Sequence, residues 1–451
     1  MSSRWKRSGV LLTVAGLCVV IWASFAAAQA DVKAGPNAGA TLKIMGFGPG
    51  DEIANIRASE AEAALGGAAV SNPRGGFSDQ TFLAALAAKD VPDLVYMDRQ
   101  KVASYAARGA LVPLGNCIKQ QSIDTSQYRL AALNEVRYKG QTYAIPEFTN
   151  PRTIIVNDKV AADAGVTVAA FNTNDWAALR ATNKKVLKTD GGKVTRIGFD
   201  PKIPEFFPMW AKANGVNLLS ADGLKAHLND PKSVAALTYA YSLIQDHGGW
   251  GPFKSFRDTW DFFGAGNQVA KNQIGAWPME SFYYNVLAQN SPQVNITALP
   301  FKNRKGGPIT LITGNGWAIP KGAKNPGLAC RWIKAVTAPA SWVKAAKARF
   351  DAQKRLNRPF TGVYTANKAA DTKIYEDIYQ KMGRADFDNA VSLLVSINRY
   401  GFTLPASPGG AEFNTAMQDA INRVLAGTQS PKAALDQAQK EAQAAIDRNK
   451  R

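Results

Sequence analysis

The chain has 451 residues, 46% hydrophobic and 20% charged, the balance of a globular protein too long for one ordinary domain. Its formal charge of +19 at pH 7 raises the question of nucleic-acid or anionic-membrane binding. The cations are scattered, as in Lys184-Lys185, Lys302 to Lys305 and Lys344 to Arg349, with no basic helix interleaved with stacking aromatics, so a basic solvated surface is expected and no nucleic-acid partner.

At the start, Arg4, Lys6 and Arg7 precede an apolar stretch from Val10 to Phe25, broken only by Thr13, Gly16 and Ser24. Ala28-Gln29-Ala30 then offers small residues in the pattern a signal peptidase reads, which predicts a signal peptide over 1–30 cleaved before Asp31. The uninterrupted core is short for a membrane anchor. Cys18 lies inside that core rather than at its end, so no lipid attachment is expected. After cleavage Cys117 and Cys330 remain, allowing at most one disulfide; a chain of this size folds without staples, and two free thiols are expected.

Thr41 to Phe47 reads as a buried strand ending in the turn Gly48-Pro49-Gly50-Asp51, followed by a helix over about 52–65. Ser78 is placed to cap a second helix carrying Phe82, Leu83 and Leu86, and Asp93 to Met97 reads as a short buried strand. Val136 to Ile145 predicts a hairpin with Lys139-Gly140 at its tip. Ile154-Ile155-Val156 begins another strand, and the link Glu147 to Pro151 suits a crossing between lobes. Asp230-Pro231 opens a helix with Val234, Leu237, Tyr241 and Ile244 at helical spacing. Val294 to Phe301 reads as a strand returning to the first lobe, and Ile309 to Ile319 holds another. Asn325-Pro326 starts the helix of Trp332 and Cys330, and Ser430-Pro431 starts a last helix with Leu435, Ala438, Ala442 and Ile446 on one face. Alternating strands and helices indicate α/β architecture.

Catalytic and metal signatures are missing from the sequence. His227 and His247 are the only histidines, without cysteines at metal-ligand spacing. There is no P-loop, dinucleotide fingerprint, EF-hand or G-x-S-x-G elbow, so no cofactor or metal is expected. What the sequence offers is loops that mix aromatics, glycines and carboxylates: Phe47 to Asp51, Tyr96 to Arg99, Glu147 to Asn150, Asp258 to Asn267, Trp277 to Glu280 and Gly314 to Trp317. That mixture suits a sugar, whose C–H faces pack on flat rings and whose hydroxyls need fixed acceptors and donors.

In VPDLVYMDR (91–99), YKGQTYAIPEFTN (138–150), FRDTWDFFGAGNQ (256–268), WPMESFYYNVLA (277–288) and GNGWAIPKGAKNP (314–326) the chain resembles extracellular solute-binding protein family 1, the maltose-binding-protein-like receptors of bacterial ABC sugar importers. The resemblance implies a periplasmic-binding-protein fold of two α/β lobes joined by crossover hinge strands. Lobe 1 would comprise 31–147 and 300–345, and lobe 2 would comprise 148–299 and 346–451. It implies a soluble, monomeric periplasmic receptor, not an enzyme, that closes on a carbohydrate and delivers it to an ABC permease. By position, Phe47, Asp51, Asp98, Arg99, Glu147, Trp260, Trp277, Glu280 and Trp317 match ligand-contact loops. The positive charge leaves an anionic sugar derivative or polyol phosphate open. A secreted glycan-processing enzyme using carboxylates among Asp98, Glu147, Asp261 and Glu280 is the remote alternative.

Overall fold

The computed structural model describes residues 40–48, 50–73 and 75–450; the expected leader, its cleavage point and Cys18 lie outside them. Strand β1 (Thr41–Met45) alternates, burying Leu42 and Ile44 while Thr41 and Lys43 face solvent. Strand β2 (Ala69–Ser71) and the fully apolar-faced β3 (Leu94–Asp98) flank it in parallel. Between them, Asp51 and Ser78 cap helices Glu52–Ala63 and Asp79–Ala87 by accepting from the Ala54 and Thr81 amides, satisfying N–H groups the helices leave open.

The expected hairpin forms as β4 (Arg137–Tyr138) and β5 (Gln141–Thr142), with Lys139 at φ 46° and Gly140 at φ 77°. Two consecutive left-handed residues match the right-handed twist of the strands, and Gly140 takes the second position without a Cβ penalty. The chain leaves the hairpin as β6 (Ala144–Pro146) and continues through β7 (Arg152–Asn157), β8 (Lys188–Asp190), β9 (Lys193–Phe199), β10 (Ile274–Glu280) and β11 (Ile296–Leu299). Three short strands follow: β12 (Thr310–Leu311), β13 (Asn315–Ala318) and β14 (Gly401–Phe402).

Two five-stranded mixed sheets result, ordered β2-β1-β3-β13-β6 and β11-β7-β10-β9-β8. Each carries its own apolar core, one around Trp317 and Trp332, the other around Trp210 and Trp277. Strand β11 corrects the reading of Val294 to Phe301 as a return to the first lobe. It pairs antiparallel with β7 and edges the second sheet, because Ile296 to Leu299 align with Asn157 to Ile154. The chain returns only with β13, which pairs antiparallel with both β3 and β6.

The C-terminal half also departs from the expected partition at 345/346. Helix Pro339–Arg355 and residues up to Ile378 pack on Ile53 of the first lobe through Trp342, Phe350, Phe360 and Ile374. Helices Ala385–Ile397, Gly410–Leu425 and Pro431–Asn449 then join the second core. Nor are the cysteines free. Cys117, on helix Gly115–Gln120, is bonded to Cys330 on helix Pro326–Thr337 with Cα atoms 5.7 Å apart, which ties together two parts of the first lobe 213 residues apart in sequence. Sequence spacing alone carries no information on such a distance.

Candidate ligand-binding site

Three segments run side by side between the two sheets. The Glu147 amide donates to Asn315 O and the Asn150 amide to Thr313 O, both at 3.0 Å. On the other side the Thr149 amide donates to Tyr364 O at 3.1 Å and the Ala366 amide to Glu147 O at 2.9 Å. Two buried arginines hold this hinge. Arg99 is 0% exposed, pairs with Glu135 at 2.7 Å, and donates to Phe148 O at 2.6 Å and Ile312 O at 3.4 Å. Arg152 donates to Leu311 O at 2.7 Å and Thr313 Oγ1 at 3.1 Å, with Glu280 at 3.3 Å as counter-charge.

Against the hinge lies a cavity of about 570 Å³. The first lobe contributes Phe47, Asp51, Arg57, Tyr96 and Glu147, and the crossing contributes Phe148 to Asn150. The opposite wall is the first turn of helix Phe282–Asn290, with Ser281, Phe282 and Asn285, while Trp342, Arg349 and Tyr364 close a third side. Ser281 Oγ donates to Asn150 Oδ1 at 2.8 Å, so the helix start is tied to the hinge itself.

The lining carries two acids and two arginines, and each arginine is matched within the wall. Arg57 reaches Glu147 at 2.6 Å, with side-chain exposures of 4% and 1%, and lies 3.7 Å from the Trp342 ring centre. Arg349 meets Asp51 at 2.5 Å and Glu52 at 2.6 Å. Burial works to raise the Asp51 pKa, but the Arg349 charge and the Ala54 amide outweigh it and hold the carboxyl below its ordinary value. Burial, then the adjacent Glu147 charge, pushes the Tyr96 hydroxyl well above its ordinary range, so it stays protonated. Three polar atoms on this wall have no hydrogen-bond partner among the described residues: Glu147 Oε2, Asn285 Oδ1 and Trp342 Nε1. Two acceptors and one donor, set between aromatic faces, are what a hydroxyl-rich ligand pairs with.

Of the residues expected from sequence, Phe47, Asp51 and Glu147 border this cavity. The others stand elsewhere. Trp317 is 0% exposed behind the lining, its ring 5.0 Å from Phe47 and 4.6 Å from Tyr96, and backs those two rings. Trp277 is likewise 0% exposed, enclosed by Trp260, Phe262 and Tyr283, and Trp260 packs edge-on against it at 5.7 Å. Asp98 caps helix Arg99–Ala107, accepting from the Gln100 amide. Arg99 and Glu280 belong to the hinge contacts. Strand-end position marks a loop as near the cleft but does not say which side of the sheet a ring enters. Sequence reading missed Arg57, Phe282, Asn285, Trp342, Arg349 and Tyr364. Arg57, Asn285 and Arg349 lie inside helices, where a polar residue looks like ordinary solvated surface; Phe282 and Asn285 fall within the block WPMESFYYNVLA (277–288), but nothing local singles them out.

A two-sheet chain with three hinge segments and a cavity beside them is a two-lobed binding protein. The family model described as bacterial extracellular solute-binding protein matches residues 72–376, and the chain belongs to that family, the solute-binding proteins that serve ABC transporters. Solved structures share the fold. CpMnBP1 with mannotriose bound is 23% identical, covers 89% of this chain and 100% of its own, and superposes with a TM-score of 0.73. An ABC substrate-binding protein from Listeria monocytogenes in complex with cycloalternan is 17% identical, with 90% and 99% coverage and a TM-score of 0.72. UgpB from Mycobacterium tuberculosis in complex with glycerophosphocholine is 17% identical, with 93% and 100% coverage and a TM-score of 0.68. No curated protein matches the sequence. Among the described residues no helix is long and apolar enough to cross a membrane, and no group of three or more His, Cys, Asp or Glu is arranged to hold a metal.

Proposed function

We propose that the chain is the periplasmic receptor of an ABC importer for a neutral carbohydrate, closing its two lobes on the sugar and presenting it to a membrane permease. The observation that carries this reading is the unpaired Glu147 Oε2, with Asn285 Oδ1 and Trp342 Nε1, set among Phe47, Tyr96, Phe282 and Trp342 on one cavity. Because the lining arginines are matched by Asp51 and Glu147, the wall carries no formal charge despite the +19 of the whole chain. A phosphate or carboxylate would have to displace a carboxylate already paired with either arginine, a buried one at Arg57, which disfavours an anionic sugar derivative. The neighbours' bound mannotriose and cycloalternan agree with a sugar. The basic and apolar leader with Ala28-Gln29-Ala30 supports export and cleavage, and Cys18 within the apolar core speaks against lipid attachment.

The receptor reading is tested by calorimetry and thermal shift on the mature chain against neutral mono- and oligosaccharides, sugar acids and sugar phosphates. Binding of a neutral sugar, with a smaller radius of gyration in its presence, is expected. Binding confined to the anionic compounds, or sustained hydrolysis of a chromogenic glycoside, overturns it.

A further inference from the structure

Phe263 is 63% exposed and Phe282 is 40% exposed, and the two rings stack with centroids 6.5 Å apart and planes 26° from parallel. Phe282 borders the cavity, whereas Phe263 lies outside its lining. The pair therefore continues an aromatic surface from the enclosed site out towards solvent.

This exposure is built in rather than left over. Phe262 packs at 4.8 Å on Tyr283 and 5.7 Å on Trp277, and Phe263 lies edge-on against it at 4.8 Å while remaining 63% exposed. The loop backbone is pinned at three successive carbonyls: Tyr283 Oη donates to Phe262 O at 3.0 Å, Asn290 Nδ2 to Phe263 O at 2.9 Å and Asn267 Nδ2 to Gly264 O at 2.9 Å. A Cβ at Gly264 would meet the Asp261 carboxylate at 1.9 Å, so a larger residue there would have to displace that side chain. A ring held out on a stiff loop gives up little conformational freedom on binding, the condition under which an aromatic surface adds affinity.

We propose that Phe263 and Phe282 form an extension subsite, so that the ligand is an oligosaccharide with one part enclosed in the cavity and a further unit laid on Phe263. The assignment rests on the carbohydrate reading above and adds a length requirement to it. Sugar C–H faces supply the complementary surface to two nearly parallel rings, and no charged partner is needed.

Calorimetry with manno- and malto-oligosaccharides from disaccharide to tetrasaccharide, on the wild-type mature chain and Phe263→Ala, tests it. The expected result is tighter binding of the longer members by wild type, and a loss of about three- to tenfold in Phe263→Ala for those members alone. Unchanged folding is expected for this exposed position, checked by thermal unfolding. Disaccharide binding with no gain from length, or an equal effect of Phe263→Ala at every length, overturns the extension subsite while leaving the carbohydrate receptor standing. Failure of both series at every length overturns the subsite, and the screen of other neutral sugars then decides the receptor reading separately.

Discussion

Arg99 and Arg152, one from each lobe, hold consecutive carbonyls of one crossing segment: Arg99 donates to Ile312 O and Arg152 to Leu311 O. Adjacent carbonyls of an extended chain point to opposite sides, so each lobe has its own grip on the same two residues. Each arginine charge is answered by a carboxylate of its own lobe, Glu135 or Glu280.

Breaking the first of these pairs is expected to be costly from one side. Arg99→Met leaves Glu135 buried and uncompensated, at about 3–5 kcal/mol of folding stability. The double change Arg99→Met with Glu135→Leu is expected to cost less than the two single changes added together. Urea unfolding of the four proteins measures the cycle, and additive costs would show that the pair is not coupled.

Glu135 also sets a pH dependence. Burial, opposed by Arg99, raises its carboxyl from 4.5 to about 7. The folded chain then keeps a proton that the unfolded chain releases, so stability falls as pH rises from about 4.5 through about 7, by about 3 kcal/mol from this group. Glu135→Gln cannot titrate and is expected to flatten unfolding free energy over that window. A slope unchanged in the variant assigns the effect to another group.

The Cys117–Cys330 bond closes a sequence separation of 213 residues, and its removal enlarges the unfolded ensemble. Reduction, or Cys117→Ala with Cys330→Ala, is expected to lower stability by about 3–5 kcal/mol, with ligand affinity little changed because neither residue borders the cavity. Denaturant unfolding with and without dithiothreitol checks it; coincident curves contradict it.

Trp277 and Phe282 are expected to fail differently. Trp277→Ala empties a fully buried site and is expected to cost about 3–5 kcal/mol of stability. Phe282→Ala removes a half-exposed ring from the cavity wall, and is expected to leave the unfolding midpoint nearly in place while weakening sugar binding by about 1–3 kcal/mol. Paired unfolding and calorimetry on both variants separate the roles. Selective loss of binding in Trp277→Ala would return that ring to the ligand site.

By itself the sequence determined the local elements and the family. The strand at Thr41, the cap at Ser78 and the Lys139-Gly140 turn act over a few residues, where spacing dictates which groups meet. The two-lobed fold was legible through the family resemblance that the motif blocks carry. Tertiary structure alone decided that β11 stays in the second sheet, that 346–378 packs on the first lobe, and that Cys117 reaches Cys330. It also decided which rings face a ligand. Trp277 and Trp317 read as strand-end aromatics, yet Trp277 lies mid-strand in β10 and packing turned both rings inward; Arg57 and Glu147, 90 positions apart, meet at 2.6 Å only once the helix and the hinge are folded together. The direction of a side chain from a strand end, and the partner of a charge across the chain, depend on long-range packing that no local pattern encodes.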